Sequence, residues 1–378
     1  MPDHLHDQLV FTPADVDLAR SPLAGRFAAD TYVLGAFNPA LARLPNGNLL
    51  LMVRVAEALR QPVWDGAVHA IRWEDGAYRL NGWLLSDVDR TDPRTFLVAG
   101  GQWPTFGLTS LSWLLPVELS ADGLEVVRVH YDRAIAPAAD FQSYGVEDPR
   151  ISVIEGRYFL TACCVSAQRQ GTCLYTSNDG LDWALQGLIL DHQNKDMVLF
   201  NGLIGGAYWA QTRPLGTSYP AYPPGAKWRA GPSINLARSP DALHWKPHEQ
   251  TCIRSHAATT STARLGGGAP PVLTRIADME GWLSLWHGVE PDGAIGIYRT
   301  FWSLLAPADP AITLATQHSP LLEANAALTA PLAEAMYVDN VVFTTGLIDA
   351  GDHLIIASGE ADLACRITHL SKDALRPS

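Results

Sequence analysis

One pattern recurs along this chain and limits what it can fold into: a tight turn followed by a short strand of alternating apolar residues. It occurs as Asn46-Gly47 before Asn48–Arg54, Glu155-Gly156 before Arg157–Cys163, and Gly205-Gly206 before Ala207–Thr212. It returns as Glu280-Gly281 before Trp282–His287 and as Gly351-Asp352 before His353–Ser358. Such dipeptides between apolar runs close hairpins, because their residues accept positive φ at low cost. Five occurrences at uneven spacing imply five structural repeats, not one continuous sheet. A second element also repeats: Ser177-Asn178-Asp179-Gly180-Leu181-Asp182-Trp183 is nearly copied by Ser239-Pro240-Asp241-Ala242-Leu243-His244-Trp245. Helical periodicity is confined to Ala324–Glu334, where Pro331 interrupts it.

Repeated hairpins without long exposed edges fit most simply into an all-β, five-bladed β-propeller. The competing architecture is a pair of β-sandwich domains. The expected layout is an aperiodic N-terminal arm over residues 1–30, a single catalytic propeller domain over 31–370 and a tail over 371–378. The stretch between the turns at 47 and 156 has room for an insertion or extra hairpins. Its most apolar part, Gly107–Ser120, reads as a rim loop or an oligomer contact, which leaves a homo-oligomer open.

Composition narrows the function. With 47% hydrophobic and 17% charged residues, the chain has the make-up of a soluble globular protein. A net charge of −12 argues against nonspecific binding to nucleic acid or to anionic membranes. No apolar run reaches membrane-spanning length, and Met1–Asp15 is polar and acidic without the apolar centre of a signal peptide. The five cysteines, Cys163, Cys164, Cys173, Cys252 and Cys365, are odd in number and lack CxxC spacing. They indicate neither a disulfide framework nor a zinc site, and a reduced cytoplasmic protein is expected. His244 and His248 have an HxxxH spacing, but Pro247 opposes the helix that a metal pair needs, so no metal is expected. The glycines at 266–268 lack the Lys-Ser/Thr of a phosphate loop, so no nucleotide or other cofactor is expected. Trp103, Trp209, Trp228 and Trp286 are candidates to stack on sugar rings, with core packing as the plainer reading.

The chemistry centres on Gly145-Val146-Glu147-Asp148-Pro149-Arg150, directly before an alternating strand. Pro149 biases Asp148 toward an extended backbone and removes a ladder donor, so the acids belong to a strand mouth or loop. A carboxylate pair there, with a cation two residues on, has what acid chemistry on a sugar needs. The plainer reading is a turn whose acids cap amides and pair with Arg150. Further candidates stand near strand ends along the chain: Asn38, Arg54, Lys195-Asp196, Arg213, Arg264, His287, Tyr298-Arg299 and Asp339-Asn340.

In this order the series resembles glycoside hydrolase family 130, the mannoside phosphorylases and related mannosidases built on a five-bladed propeller. The matching pieces are Phe37-Asn38-Pro39, Leu50–Val55, Glu147–Arg150, Lys195–Phe200, Arg213-Pro214, Gly266–Pro271, Trp286–Val289 and Asp339–Phe343. The resemblance implies cleavage of β-mannosidic links with inversion; the phosphorylases use inorganic phosphate and release α-mannose 1-phosphate. It implies Asp148, beside Glu147, as the proton donor acting through a sugar hydroxyl. Lys195, Arg213 and Arg264 are implied as the phosphate site. Asn38, Arg54 and Asp339 are implied sugar contacts, and Arg150, His287 and Tyr298 are further substrate-binding candidates. The chain departs from the family at Thr212, where many phosphorylases carry histidine. It departs again after Tyr298-Arg299, where the family usually continues into a Gly-Ala-rich acidic strand.

Elementary chemistry favours phosphate as the nucleophile. A hydrolase needs a second carboxylate to activate water, whereas phosphate arrives ionised and needs cations to place it. Three cations on different repeats of an acidic chain suit the second case, with arginine gripping phosphate in a fork and lysine acting as a point charge. The alternative is a phosphate-independent inverting β-mannosidase with Glu147, Glu290 or Asp339 as base. A third reading is a sugar-binding propeller without catalysis. The expected partners are a β-linked mannoside or manno-oligosaccharide and inorganic phosphate.

Overall fold

The computed structural model describes residues 4–376 apart from 101, 103–104, 191, 217–218, 257–263 and 294. It is all-β, with one four-residue α-helix, Ala326–Thr329, continued by a 3-10 turn over Ala330–Ala335. The strands form five consecutive up-and-down units. The first comprises Thr31–Arg43, Leu49–Leu59, Ser110–Leu119 and Val126–Val129; the second comprises Gly145–Ile154, Arg157–Val165, Gln170–Ser177 and Ala184–Leu188. One parallel pairing, Ser112 with Gly145, merges these two into an eight-stranded sheet. The third unit comprises Asn194–Leu199, Tyr208–Pro214, Trp228–Ser239 and Lys246–His256. In the fourth, Arg264–Gly267 and Val272–Ile276 both pair with Met279–Glu290, which is followed by Ile297–Leu305 and Thr313–Thr316. The fifth comprises Val342–Asp349, His353–Glu360 and Ala364–Ser371.

The fourth strand of this last unit comes from the opposite chain end. His4–Phe11, within the stretch expected to be an aperiodic arm, pairs antiparallel with Ala364–Ser371. Asp7 anchors it, accepting from Nε and Nη2 of the buried Arg366 at 2.6 and 2.8 Å. At the other end of the chain Leu375 is buried, so the stretch from 371 is not wholly a free tail.

Each unit shares a buried apolar cluster with the next. Met52 and Leu50 meet Ile151 and Leu160; Phe159 and Leu174 meet Met197 and Ala210; Phe200 and Ile234 meet Trp282 and Phe301; Leu285 and Trp302 meet Val342 and Ile356. The fifth unit packs in turn on the first, through Ile355 and Ile367 against Leu51 and Val53. The strands can therefore be apolar on both faces, which explains Ser110–Leu119. All ten of its residues are buried within the first sheet, so the stretch expected as a rim loop or oligomer contact is a core strand. The insertion lies before it, as two three-stranded sheets: Val63–Trp64, Ala67–Glu74 and Ala77–Leu84, then Val88–Asp89, Thr95–Val98 and Thr105–Leu108.

Four of the expected turns close hairpins where predicted. Glu155 and Gly156 have φ of 51° and 78°, and Gly205 and Gly206 have 58° and 74°, the backbone that a two-residue hairpin requires. The fourth is displaced. Ala277-Asp278 makes the turn, and Glu280-Gly281 lies inside the strand, where a side chain at Gly281 would meet Leu305 O at 2.5 Å. The two near-copied heptapeptides form matching turns: Asp179 Oδ1 accepts from the amides of Leu181 and Asp182, and Asp241 Oδ1 from those of Leu243 and His244. Against expectation, Cys164 and Cys173 form a disulfide between adjacent strands, while Cys163, Cys252 and Cys365 are free and buried.

Candidate active site

The first strands of the first three units are built alike, and that shared construction places much of the site. Their ladders skip between Phe37 and Ala40, between Glu147 and Arg150, and between Lys195 and Val198. At these bulges Asn38, Asp148 and Asp196 hold left-handed φ of 48°, 48° and 53°; Asn340, just before the fifth unit, holds 54°. Asn and Asp bear this conformation more easily than other side-chain residues, and a proline fits a bulge because no ladder donor is needed there. Asp148 is thus left-handed, not extended as the proline rule suggests, because the bulge overrides the local bias. In the fourth unit the corresponding region is glycine: a Cβ on Gly266 would lie 2.3 Å from His287 Cε1 and 2.7 Å from Asp196 Oδ2.

These bulges border a cavity of about 340 Å³. Asn38, Arg54, Glu147, Asp148, Lys195, Arg213, Arg264 and Tyr298 all line it. Arg54 bridges the two acids, with Nη1 2.8 Å from Asp148 Oδ1 and Nη2 2.8 Å from Glu147 Oε1. Asn38 Nδ2 donates to the same Asp148 Oδ1 at 2.8 Å. Among the described residues Asn38 and Arg54 both bond Oδ1, and Oδ2 of Asp148 carries no hydrogen bond. Burial alone would raise the Asp148 carboxyl. Arg54, then Lys195 and Arg150, and the Asn38 amide outweigh it and hold the group well below the ordinary range.

Three further cations line the same cavity. Lys195 Nζ is 3.9 Å from Glu147 Oε2. Arg213 Nε stands 3.0 Å from Asp196 Oδ2, an ion contact without hydrogen-bond alignment. Arg264 is exposed, and its Nη1 donates to the Tyr298 hydroxyl at 2.8 Å.

Three candidates stand elsewhere. Arg150 is 2% exposed and lies behind the acids: Nη1 donates to Asp148 O at 2.8 Å, Nε to Gly268 O at 2.5 Å, and Nη2 is 3.5 Å from Asp196 Oδ1. It braces the bulge and is not in the cavity wall. His287 is 1% exposed, 3.6 Å from Asp196. Burial, with Arg213, Arg150 and Arg264 nearby, pushes it down to about 3 against the pull of Asp196, so it is a neutral packing group at working pH. Asp339 is exposed and outside the cavity lining. Of the tryptophans, Trp209 and Trp286 are buried, Trp228 lies beneath Lys227 at the surface, and Trp103 is outside the described residues.

The sequence reading missed Arg94, Tyr337 and Asp362, which also line the cavity. Asp362 ends Gly359-Glu360-Ala361-Asp362, an acidic Gly-Ala stretch of the kind sought after Tyr298-Arg299 but standing on the fifth unit. Its signal was present in the chain. Arg94, in an insertion with short irregular strands, had none.

The family model described as beta-1,4-mannooligosaccharide phosphorylase matches residues 110–375. The beta-1,2-mannobiose phosphorylase of Listeria innocua is 29% identical over 338 residues, spanning 87% of each chain. The 1,2-beta-oligomannan phosphorylase of a Thermoanaerobacter species is 29% identical over 248 residues, 65% of this chain and 74% of that one. The solved complex of the Listeria innocua enzyme with beta-1,2-mannobiose has a TM-score of 0.77 at 27% identity, covering 97% of both chains. The chain belongs to glycoside hydrolase family 130.

Proposed function

We propose that this protein is an inverting phosphorylase that cleaves β-1,2-linked mannosides with inorganic phosphate, releasing α-mannose 1-phosphate. The observation that carries the reading is the convergence of Lys195, Arg213 and Arg264 on the cavity that holds Asp148. The linkage is taken from the relatives named as beta-1,2-mannobiose and 1,2-beta-oligomannan phosphorylases. The five units are read as blades of a propeller with the cavity on its axis; the run of shared clusters, first unit to fifth and back to first, supports this.

Phosphate held by the cations attacks the anomeric carbon from the face opposite the departing sugar, and the glycosidic C–O bond breaks. The proton of Asp148 Oδ2 passes to the leaving oxygen, directly or through a sugar hydroxyl, and leaves a carboxylate held by Arg54 and Asn38. In the ligand-free site Arg54, Lys195 and Arg150 favour the ionised acid. A phosphate dianion beside Lys195 offsets part of that charge and raises Asp148, so the nucleophile also readies the acid. The reading calls for no cofactor beyond the phosphate co-substrate.

Among the described residues the hydrolytic alternative has no unpaired carboxylate on the cavity to serve as its base. Each acid on the cavity is already matched by a cation: Glu147 and Asp148 by Arg54, Asp196 by Arg213 and Asp362 by Arg94. Glu290 pairs with Arg299 at 2.5 Å, and neither it nor Asp339 lines the cavity. The deciding experiment is the initial rate on β-1,2-mannobiose against phosphate concentration, with product identification. Saturable dependence on phosphate and formation of α-mannose 1-phosphate are expected. A rate that stays flat from zero phosphate upward, with mannose as sole product, would establish the mannosidase.

A further inference from the structure

Part of the cavity wall belongs to none of the five units. Arg94, Thr95 and Leu108 come from the inserted sheets between Leu59 and Ser110, outside the segment that the family model matches. Arg94 is tied at both ends. Its Nε and Nη2 donate to Asp92 at 3.1 and 2.8 Å within the insertion, and its Nη1 reaches Asp362 Oδ2 of the fifth unit at 3.2 Å. Asp362 sits in a strained turn, with φ of 55° at Ala361 and 49° at Asp362, and its backbone carbonyl accepts from the Tyr337 hydroxyl at 2.6 Å. The two oxygens of Asp92 leave the Arg94 fork one free edge, and that edge faces Asp362.

Asp362 needs such a partner. It is a carboxyl on the cavity wall with Asp148 nearby, and burial pushes it up. The opposing cations are Arg94 and, behind it, Arg54, which already serves Glu147 and Asp148. The remaining titratable groups facing it are Asp92, Tyr337 and Tyr298. A carboxylate fixed by one oxygen presents the other as a charged acceptor, to which a sugar hydroxyl can donate.

We propose that Arg94 is a positioning residue for mannoside recognition: it fixes the Asp362 carboxylate as an acceptor for sugar hydroxyls, so the inserted lobe sets mannoside affinity and not phosphate affinity. The proposal rests on the reading of the cavity as a β-mannoside site. The effect of losing one bond to a charged group is about tenfold or more in binding.

The test is steady-state kinetics of the full chain with Arg94→Gln and Arg94→Lys, alongside calorimetric binding of β-1,2-mannobiose without phosphate. In Arg94→Gln the KM and Kd for mannobiose rise about tenfold while the phosphate KM stays within about twofold. The acid limb of kcat/KM for mannobiose moves to higher pH, because Asp362 then takes its proton more readily; Arg94→Lys recovers part of both effects. A merely structural arginine would move stability but not that limb. Unchanged mannobiose affinity with an unmoved acid limb, or equal rises in both KM values, overturns the proposal. If Arg94→Gln fails to fold, Arg94→Lys decides: mannobiose KM raised a few-fold against constant phosphate KM supports it, and no split between the two overturns it. Wild-type protein that binds mannobiose but turns over without phosphate would sink the phosphorylase reading alone. Wild-type protein that binds no β-mannoside would sink both.

Discussion

Asn38 and Asp148 stand 110 residues apart in sequence, share a left-handed φ of 48°, and are joined by an Nδ2-to-Oδ1 hydrogen bond of 2.8 Å. The same left-handed backbone recurs at Asp196, a third wall residue of the cavity. It turns short polar side chains off the ladders and into one cavity, which an extended strand could not do.

That pairing predicts how Asn38 is held. A Cβ on Gly359 would lie 2.0 Å from Asn38 Oδ1, so Gly359→Ala displaces the amide without touching Asp148. Asn38→Ala removes the same donor, a bond to a charged group worth about 1.5–3 kcal/mol. Each variant loses about tenfold or more in kcat/KM. The double variant is scarcely worse than either single one, because both cut one interaction. Fully additive losses in a double-mutant cycle would show that Gly359 acts elsewhere.

Asp148→Asn keeps the shape and accepts from Arg54 but has no proton to give. Turnover falls by about two to four orders of magnitude, with little change in mannoside affinity. Glu147→Gln weakens the hold on Arg54 and Lys195 and falls less. The reverse ranking in single-turnover rates would exchange the roles of the two acids.

Much of this was legible in the sequence, for reasons that differ by element. The turns at Asn46-Gly47, Glu155-Gly156, Gly205-Gly206 and Gly351-Asp352 were readable because glycine marks positive φ. The turn at Ala277-Asp278 was not, because an alanine with φ of 50° carries no local signal and is imposed by the strands around it. Ser110–Leu119 was misread because a continuous apolar run looks like a surface patch until both of its faces are seen to be covered. The cavity residues Glu147, Asp148, Lys195, Arg213, Arg264 and Tyr298 follow the repeat and stand near strand ends as expected, whereas Asn38 and Arg54 lie in mid-strand, Asn38 at a bulge. Arg150 and His287 also obey the repeat, but nothing in residue type tells a brace behind the wall from a group in it. The Cys164–Cys173 bond joins residues of neighbouring strands, so spacing along the chain could not show it.

The proposed phosphate site can be probed without changing a cation. Gly266→Ala places a methyl 2.3 Å from His287 Cε1 and 2.7 Å from Asp196 Oδ2, and so shifts the buried ring together with the carboxylate that pairs with Arg213. It raises the KM for phosphate and leaves that for mannoside nearly unchanged. Arg213→Ala does the same more strongly, by more than about tenfold, since the lost bonds are charge-assisted. Rates over a grid of the two substrate concentrations separate the effects. Equal rises in both KM values would mean that Asp196 serves the whole cavity.

The last prediction concerns the joint between the chain ends. Burial would raise Asp7, but the hydrogen bond from His4 and those from Arg366 and Thr368 hold it well below the ordinary carboxylate range. A depressed folded-state carboxyl stabilises the protein above the unfolded value near pH 3.9, and that contribution is lost as pH falls below it. Asp7→Asn leaves Arg366, 1% exposed, with Glu360 as its remaining carboxylate, so its cost at pH 7 is about 3 kcal/mol, the low end for breaking a buried pair. The gap between wild type and variant should begin to narrow as pH drops below about 4, because the unfolded wild-type chain then takes up a proton that native Asp7, held lower, does not. Urea unfolding at pH 7, 5 and 3.5 measures it. A gap that is constant over this range would assign the role of Asp7 to shape and not to charge, and the seal between His4–Phe11 and Ala364–Ser371 would then rest on the ladder alone.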